Sequence, residues 1–439
     1  MTDLLGAPAS HMIESVRPQT AAYSGACLVF ACLGIGLTCT ANAQDGPVSD
    51  PIAPATTTQV PANSQPTMEI YGWAEADAIV DFKQNNPDWY DTNRPSKLPS
   101  FTQEFGQDGR FYLSPRHSRF GVKSTLPTSA GDVQATFEID MVGNGPTVGQ
   151  TMVRLRHAWG QWKQIGAGQT YSEFMDPDVY PDRLDFWGPN GMLTSRNPQV
   201  FWEPYKEGNS NLRFGVENPG VSSDGGIFSN RIELQHVNAR FPMPDFTGHY
   251  RRAGSWGYVQ VGGVLLYVAY DDLLPKDPTS LSGHVWGGGA SLSSNVKAGS
   301  HDLLRLQVVD GRGIENYMND APVDVGVEMN PSNAVSPIVG AALPVFSLVA
   351  YLEHKWTNTW STAAGYSLVD VRNADGDVPS DFRVGQYATA NLVCRPVQNL
   401  MIGGEFQWAQ RQNFSDGWTV KDYRVDFMAR YGFSYKLGR

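Results

Sequence analysis

The stretch TMVRLRHAWGQW, Thr151 to Trp162, decides how the rest of the chain is read. Val153, Leu155, His157 and Trp159 take one parity, and Arg154, Arg156, Ala158 and Gly160 take the other. Alternation with period two marks a β-strand, because successive side chains point to opposite faces. One face is mostly apolar. The other carries two neighbouring guanidinium groups. What medium lies on each side is the question the rest of the sequence answers.

The same parity recurs. In SRFGVK, Phe120 and Val122 oppose Arg119 and Lys123. In NLRFGV, Leu212, Phe214 and Val216 oppose Arg213, and in LLRLQV, Leu304, Leu306 and Val308 oppose Arg305. In DYRVDFMARYGF, Tyr423, Val425, Phe427, Ala429 and Tyr431 oppose Arg424, Asp426, Met428 and Arg430. About sixteen such segments follow one another from Met68–Phe82 to Val420–Tyr435, on period-two counting.

The connections between them alternate short and long. Short ones include Pro127–Ala130, Thr357–Thr359 and Pro396–Asn399; long ones include Lys83–Arg116, Ser172–Gln199, Gly311–Pro344 and Arg372–Asp381. A sandwich has no need of that rhythm. An outer-membrane barrel has short periplasmic turns and long external loops. In hydrocarbon every backbone N–H and C=O needs an internal partner, so strands that span must close into a barrel, which also removes reactive sheet edges. The fold class expected is therefore all-β: a transmembrane up-and-down antiparallel β-barrel of about sixteen strands. Val153, Leu155 and Trp159 then face lipid, Arg154 and Arg156 face the lumen, and His157 falls on the lipid parity.

Aromatic residues cluster beside the short turns: Trp356 and Trp360, Trp256 and Tyr258, and Tyr431, Phe433 and Tyr435. Amphipathic rings favour the membrane–water interface, so these are expected to form a girdle. Trp, Tyr and Phe make up 11% of the 439 residues and glycines number 45, which suits a strand-built chain.

The N-terminal residues read as targeting rather than fold. Arg17, the apolar run Gly25–Leu37 and Ala41-Asn42-Ala43 describe a secretory signal peptide over residues 1–43, with Met12 an alternative start. The run is shorter than the ~20 residues of a spanning helix. Residues 44–67 form a flexible segment rich in Pro, Thr and Ala, and residues 68–439 the barrel. Cys27, Cys32 and Cys39 leave with the signal, so Cys394 has no partner for an intrachain disulfide. The remaining 32 basic and 42 acidic residues give a net charge of −10, which argues against nucleic-acid binding.

Cations thus recur on the polar face of an acidic protein. Arg119, Lys123, Arg154, Arg156, Arg213, Arg305, Arg424 and Arg430 are the candidate pore-wall residues. Acidic residues gather in Thr170–Gly191, where Glu173, Asp176, Asp178, Asp182 and Asp185 are offset locally only by Arg183. Folded into the barrel, this loop would narrow the pore and set carboxylates against the arginines, selecting by charge. Left outside, its carboxylates would simply be solvated. The sequence leaves both placements open.

Several stretches resemble the DcaP-like outer-membrane porins of Gram-negative bacteria. They are IYGWAEADAIVDF, SRFGVKSTLP with GDVQATFEIDM, RHAWGQW followed by GAGQTYSEFMD, LDFWGPNG and RNPQV, and VAYLEHKWTNTWSTAAGYS. The resemblance implies a sixteen-stranded barrel, a homotrimer and an inward-folded third loop. It also implies passive diffusion of small anionic or neutral solutes, with a preference for anions such as dicarboxylates. Glu173, Asp176, Asp178, Asp182 and Asp185 match the third loop, and Arg154 and Arg156 the wall. Two departures stand out. Gln44–Thr67 lacks the heptads of the helical segment that precedes some members' barrels, and the chain ends YKLGR rather than in an aromatic residue.

Other signals are weak. Asp370–Asp381 (DVRNADGDVPSD) lacks EF-hand spacing and reads as turn-forming, so no metal is expected there. H-E-x-x-H and G-x-S-x-G are missing, and no cofactor is implied. The expected function is an outer-membrane diffusion porin embedded in lipid. The alternatives are a plugged receptor or adhesin barrel, and a barrel hydrolase.

Overall fold

The computed structural model describes residues 65–438 apart from 225, 231 and 274–278. The signal peptide and nearly all of the segment 44–67 lie outside the described residues.

The strands in chain order are β1 (Thr67–Asp81), β2 (Arg110–Ser114), β3 (Arg119–Leu126), β4 (Val133–Val142), β5 (Thr151–Trp162), β6 (Ile165–Tyr171) and β7 (Arg196–Glu207). They continue with β8 (Ser210–Glu217), β9 (Val237–Arg240), β10 (Asp245–Gly254), β11 (Gly257–Asp272), β12 (Gly283–Ala298) and β13 (Asp302–Arg312). The last are β14 (Val325–Met329), β15 (Ile338–Ala342), β16 (Pro344–Lys355), β17 (Trp360–Val371), β18 (Phe382–Val397), β19 (Leu400–Asn413) and β20 (Thr419–Leu437). β2 and β3 pair with opposite ends of β1, so they are one wall strand interrupted at residues 115–118. β9 and β10 likewise share β11. β14 and β15 form a separate hairpin. The wall is thus a closed antiparallel barrel of sixteen strands, sealed where β1 runs against β20 from Met68↔Leu437 to Asp81↔Arg424.

Closure satisfies the backbone, and the side chains sort by medium. Phe111, Leu113, Val153, Val200, Phe214, Val261, Leu292 and Phe427 are exposed on the outer face. Glu75, Asp77, Glu138, Gln260, Ser293, Gln307, Glu405 and Asp426 are buried on the inner one. Turns at 163–164, 208–209 and 398–399 close hairpins in two residues. Lys163, Gly208 and Asn399 take positive φ there, as tight hairpin turns of this length require. Trp356, Trp360, Trp256, Tyr431, Phe433 and Tyr435 stand exposed near the short-turn end, as a girdle requires. Tyr258 does not join them. It points inward and is buried, because it lies on the inner parity of β11 with Gln260.

One parity reading of the opening stretch needs correction. Along β4 and β5, Glu138 pairs with His157 and the next residue, Ile139, with Leu155. Arg156 is an extra residue, a β-bulge, which reverses the alternation beyond it. Val153 and Leu155 face outward and Arg154 and Arg156 inward, as the pattern suggests. Past the bulge His157 is fully buried inside, and Trp159 packs 5.9 Å from the buried Phe201 ring rather than meeting lipid.

The long-connection end of the lumen has a core of its own. The third long connection, residues 172–195, contributes Phe174, Met175 and Leu193. The sixth, residues 313–343, contributes Ile314, Tyr317 and Met318, and these pack on inward Val309, Val345 and Val369. Burying such a side chain is worth ~1.5–3 kcal/mol, so the inner faces of these strands alternate less cleanly than a water-filled lumen would demand.

Candidate functional site

The third long connection folds into the barrel and is tied to the wall along its length. At its root, Glu217 Oε1 accepts from Ser172 Oγ (2.8 Å), the Glu173 amide (2.9 Å) and Thr247 Oγ1 (2.5 Å). Glu173 meets His249 at 3.3 Å and Arg213 at 3.6 Å. Burial pushes the Glu173 carboxyl up from its ordinary 4.5 to about 7, with Arg213 acting against that rise. Asp176 is fastened by Arg251 at 2.6 Å, Tyr258 at 2.9 Å and Ser293 at 2.5 Å. Arg251 also holds Asp178.

Further along, the Asp182 amide donates to Glu353 and its carboxylate binds Arg395, both at 2.7 Å. Glu405 accepts the amides of Leu184 (3.0 Å) and Asp185 (3.1 Å). Asp185 accepts from Tyr387 (2.7 Å), and burial pushes its carboxyl upward. Arg183 turns back on its own loop, reaching the carbonyls of Pro181 and Phe186. So the loop's carboxylates anchor it to the wall, and Glu173 and Asp178 also border the cavity towards the short-turn end. The sequence identifies them as a group, but pairing across so many strands is a property of the closed barrel.

The candidate wall cations separate into two kinds. Arg305 is held by Glu353 at 2.7 Å, Arg424 lies between Asp81 (2.7 Å) and Asp422 (3.1 Å), and Arg430 binds Glu75 at 2.5 Å. Their charge is matched locally. Around β3, β4 and β5 the balance differs. Arg154 binds Asp140 through two contacts of 2.9 and 2.6 Å; Arg156 reaches Glu138 at 2.7 Å and Asp140 at 3.0 Å; Arg119 lies 3.5 Å from Glu138. Arg196, which the parity pattern does not single out, lies in the field of Arg154, Arg156 and Asp140, with its guanidinium 5.7 Å from the Tyr171 ring centre. Among the described residues, four guanidiniums therefore gather around two carboxylates, Glu138 and Asp140. Phe186, near the tip of the third loop, approaches Arg154 at 5.7 Å and Arg156 at 6.0 Å. Lys123 lies over Tyr71, nearer the short-turn end.

Two other long connections join the third. From the first, residues 82–109, Arg94 is sandwiched between Trp89 (4.2 Å) and Trp187 of the third loop (4.4 Å), and its Nε binds Asp320 of the sixth connection at 2.8 Å. Trp187 Nε1 donates to the Asn319 carbonyl, and the Thr194 amide to that of Tyr317. The sequence gives no parity signal for these contacts, since none involves a strand.

Towards the short-turn end a cavity of about 1210 Å³ opens, reaching from Lys123 and Lys436 to Tyr171, Glu173, Arg213 and Arg251. In the seventh connection, Asp377 and Asp381 accept the amides of Ala374 (2.9 Å) and Val378 (2.7 Å), which fits the turn-forming reading.

A closed sixteen-stranded barrel with short turns at one end, long connections at the other and the third folded inside is the fold of an outer-membrane porin. The model of the DcaP outer membrane protein family matches residues 50–253, and over that stretch the chain is DcaP-like. The outer membrane channel DcaP of Acinetobacter baumannii is similar with a TM-score of 0.68 at 19% identity, over 83% of this chain and 97% of that one. An anion-selective porin from Comamonas acidovorans is similar with a TM-score of 0.52 at 10% identity, over 84% and 100%. The trimer form of OmpT from Vibrio cholerae has a TM-score of 0.51 at 12% identity, over 84% and 99%. No curated protein matches the chain.

Proposed function

We propose that this porin lets small hydrophilic solutes diffuse across the outer membrane after Sec-type export, works as a homotrimer, and prefers anions such as dicarboxylates. The observation that carries the preference is the charge balance at the third loop's tip. Arg119, Arg154, Arg156 and Arg196 share Glu138 and Asp140 beside Phe186, while the loop's own carboxylates are bound by wall groups elsewhere. A surplus of fixed positive charge in a narrow, low-dielectric place raises the local anion concentration. The similarity to an anion-selective porin fits that sign, and the trimer form of OmpT fits the assembly.

The test is a planar bilayer with purified protein in a salt gradient. Current steps in threes with a reversal potential on the anion side are expected. A cation-side potential would leave a porin and remove the arginine reading. The interlocked first, third and sixth connections favour one second reading, a plugged receptor; folded protein giving no steps would select it.

A further inference from the structure

On the inner face of β1, Glu75 and Asp77 converge on His117, which sits in the interruption between β2 and β3. Asp77 Oδ2 lies 2.7 Å and Glu75 Oε1 3.8 Å from His117 Nδ1. All three donor atoms lie within 4.8 Å of one another. The residues are 4%, 1% and 1% exposed.

These atoms are short of partners. Neither oxygen of Asp77, nor Glu75 Oε1, nor either ring nitrogen of His117 has a hydrogen bond of acceptable geometry. Asp426, buried on the inner face of β20 beside β1, also has an unpartnered Oδ1. Buried polar atoms are nearly always satisfied, so several orphans converging on one point need a missing partner. A positive partner suits the charges around it. Among the described residues, four carboxylates, Glu75, Asp77, Asp91 and Asp426, stand around His117 with two guanidiniums, Arg430 on Glu75 and Arg116 on Asp91.

We propose that Glu75, Asp77 and His117 form a site for one divalent transition-metal ion of the zinc class in the barrel wall behind the third loop's tip. An imidazole nitrogen with two carboxylate oxygens suits such an ion better than calcium or magnesium, which take oxygen alone. Bonds of about 2.0–2.2 Å put donors ~3–4 Å apart, so the present spacing needs side-chain shifts of up to about an ångström. The far nitrogen of His117 lies 3.4 Å from Asp91 Oδ2, the place of the outer carboxylate that commonly orients a metal-bound imidazole. The Phe186 ring stacks on that of His117, 4.4 Å away and only 7° from parallel. An ion fixing His117 therefore also fixes the surface on which the third loop's tip rests.

The experiment loads folded, full-length protein in detergent with zinc alone, removes excess by dialysis and counts bound metal. A His354→Ala background excludes the exposed imidazole beside Asp302. One zinc per chain is expected, falling at least tenfold on Asp77→Asn or His117→Gln. Folding of each variant is checked by its heat-modifiable mobility. Should the variants fail to fold, copper loaded into the same background gives a second reading by electron paramagnetic resonance, with coupling to a single imidazole nitrogen expected. No retained zinc, zinc retained by both variants, or copper without nitrogen coupling would overturn the site and leave an imidazolium bridging Asp77 and Asp91.

Discussion

Arg156 and His157 are neighbours in the chain, yet both face the lumen. Glu138 pairs with His157 and Ile139 with Leu155, so Arg156 is accommodated as a bulge with its Nε 2.7 Å from Glu138. The bulge brings Arg154 and Arg156 to Asp140 and Glu138 and also hides His157, which contacts Thr170 Oγ1 at 3.1 Å. It predicts a switch of accessibility along one strand. Single cysteines at 153 and 155 should meet lipid-phase reagents, whereas those at 159 and 161 should meet water-soluble ones. If position 159 proves lipid-facing, strict alternation holds and the bulge is absent.

The third loop is fastened most tightly where Arg251 clasps Asp176 and Asp178. Arg251→Met removes the cation and leaves Asp176, which is 1% exposed, with only neutral donors, the Tyr258 and Ser293 hydroxyls and the Asp178 amide. Breaking a buried pair by deleting one partner costs about 3–5 kcal/mol. The loop should then detach before the barrel unfolds. Larger and noisier single-channel currents are expected, with unchanged strand content by circular dichroism. Currents identical to those of the parent would show that the loop is held by its other contacts.

The wall was legible in the sequence because its cause is local. Each strand alternates between two media, and the segments from Met68 to Tyr435 carry that alternation in their side chains. The inside of the third loop was legible only as composition. Asp176, Asp182 and Asp185 read as a cluster of charge, yet their partners Arg251, Arg395 and Tyr387 come from two distant strands, β10 and β18. Arg196 escaped notice because its strand begins with RNPQ, before any alternation is established. The inward turn of the first and sixth connections is held by contacts such as Arg94 with Asp320, 226 residues apart. No periodicity announces those.

Arginines that look alike in the sequence should behave differently on mutation. No carboxylate among the described residues lies within ion-pair distance of Arg196, so Arg196→Ala leaves no buried acid stranded. It should lower anion preference with little loss of stability. Arg424 is 1% exposed between Asp81 and Asp422. Arg424→Ala should destabilise the barrel by about 3–5 kcal/mol, the usual result of stranding a buried charge. Urea unfolding and reversal potentials on both variants separate the two roles. Equal destabilisation would place Arg196 in the structural set.

Glu173 gives the conductance a pH dependence with a definite sign. Burial raises its carboxyl from 4.5 to about 7, against the pull of Arg213, in surroundings that also hold Glu203, Glu217 and His249. The folded protein thus binds this proton more tightly than the unfolded chain does. Its contribution to stability is fullest below about pH 4.5 and is lost as the pH rises through about 7. The same step changes the cavity's charge. Below about pH 7 the carboxyl is neutral and Arg213 is less offset, so anion preference should rise. Reversal potentials at pH 8 and pH 6 should shift toward the anion side on acidification. Glu173→Gln should hold the acid-like value at both pH values. A shift of equal size in Glu173→Gln would assign the titration to another group.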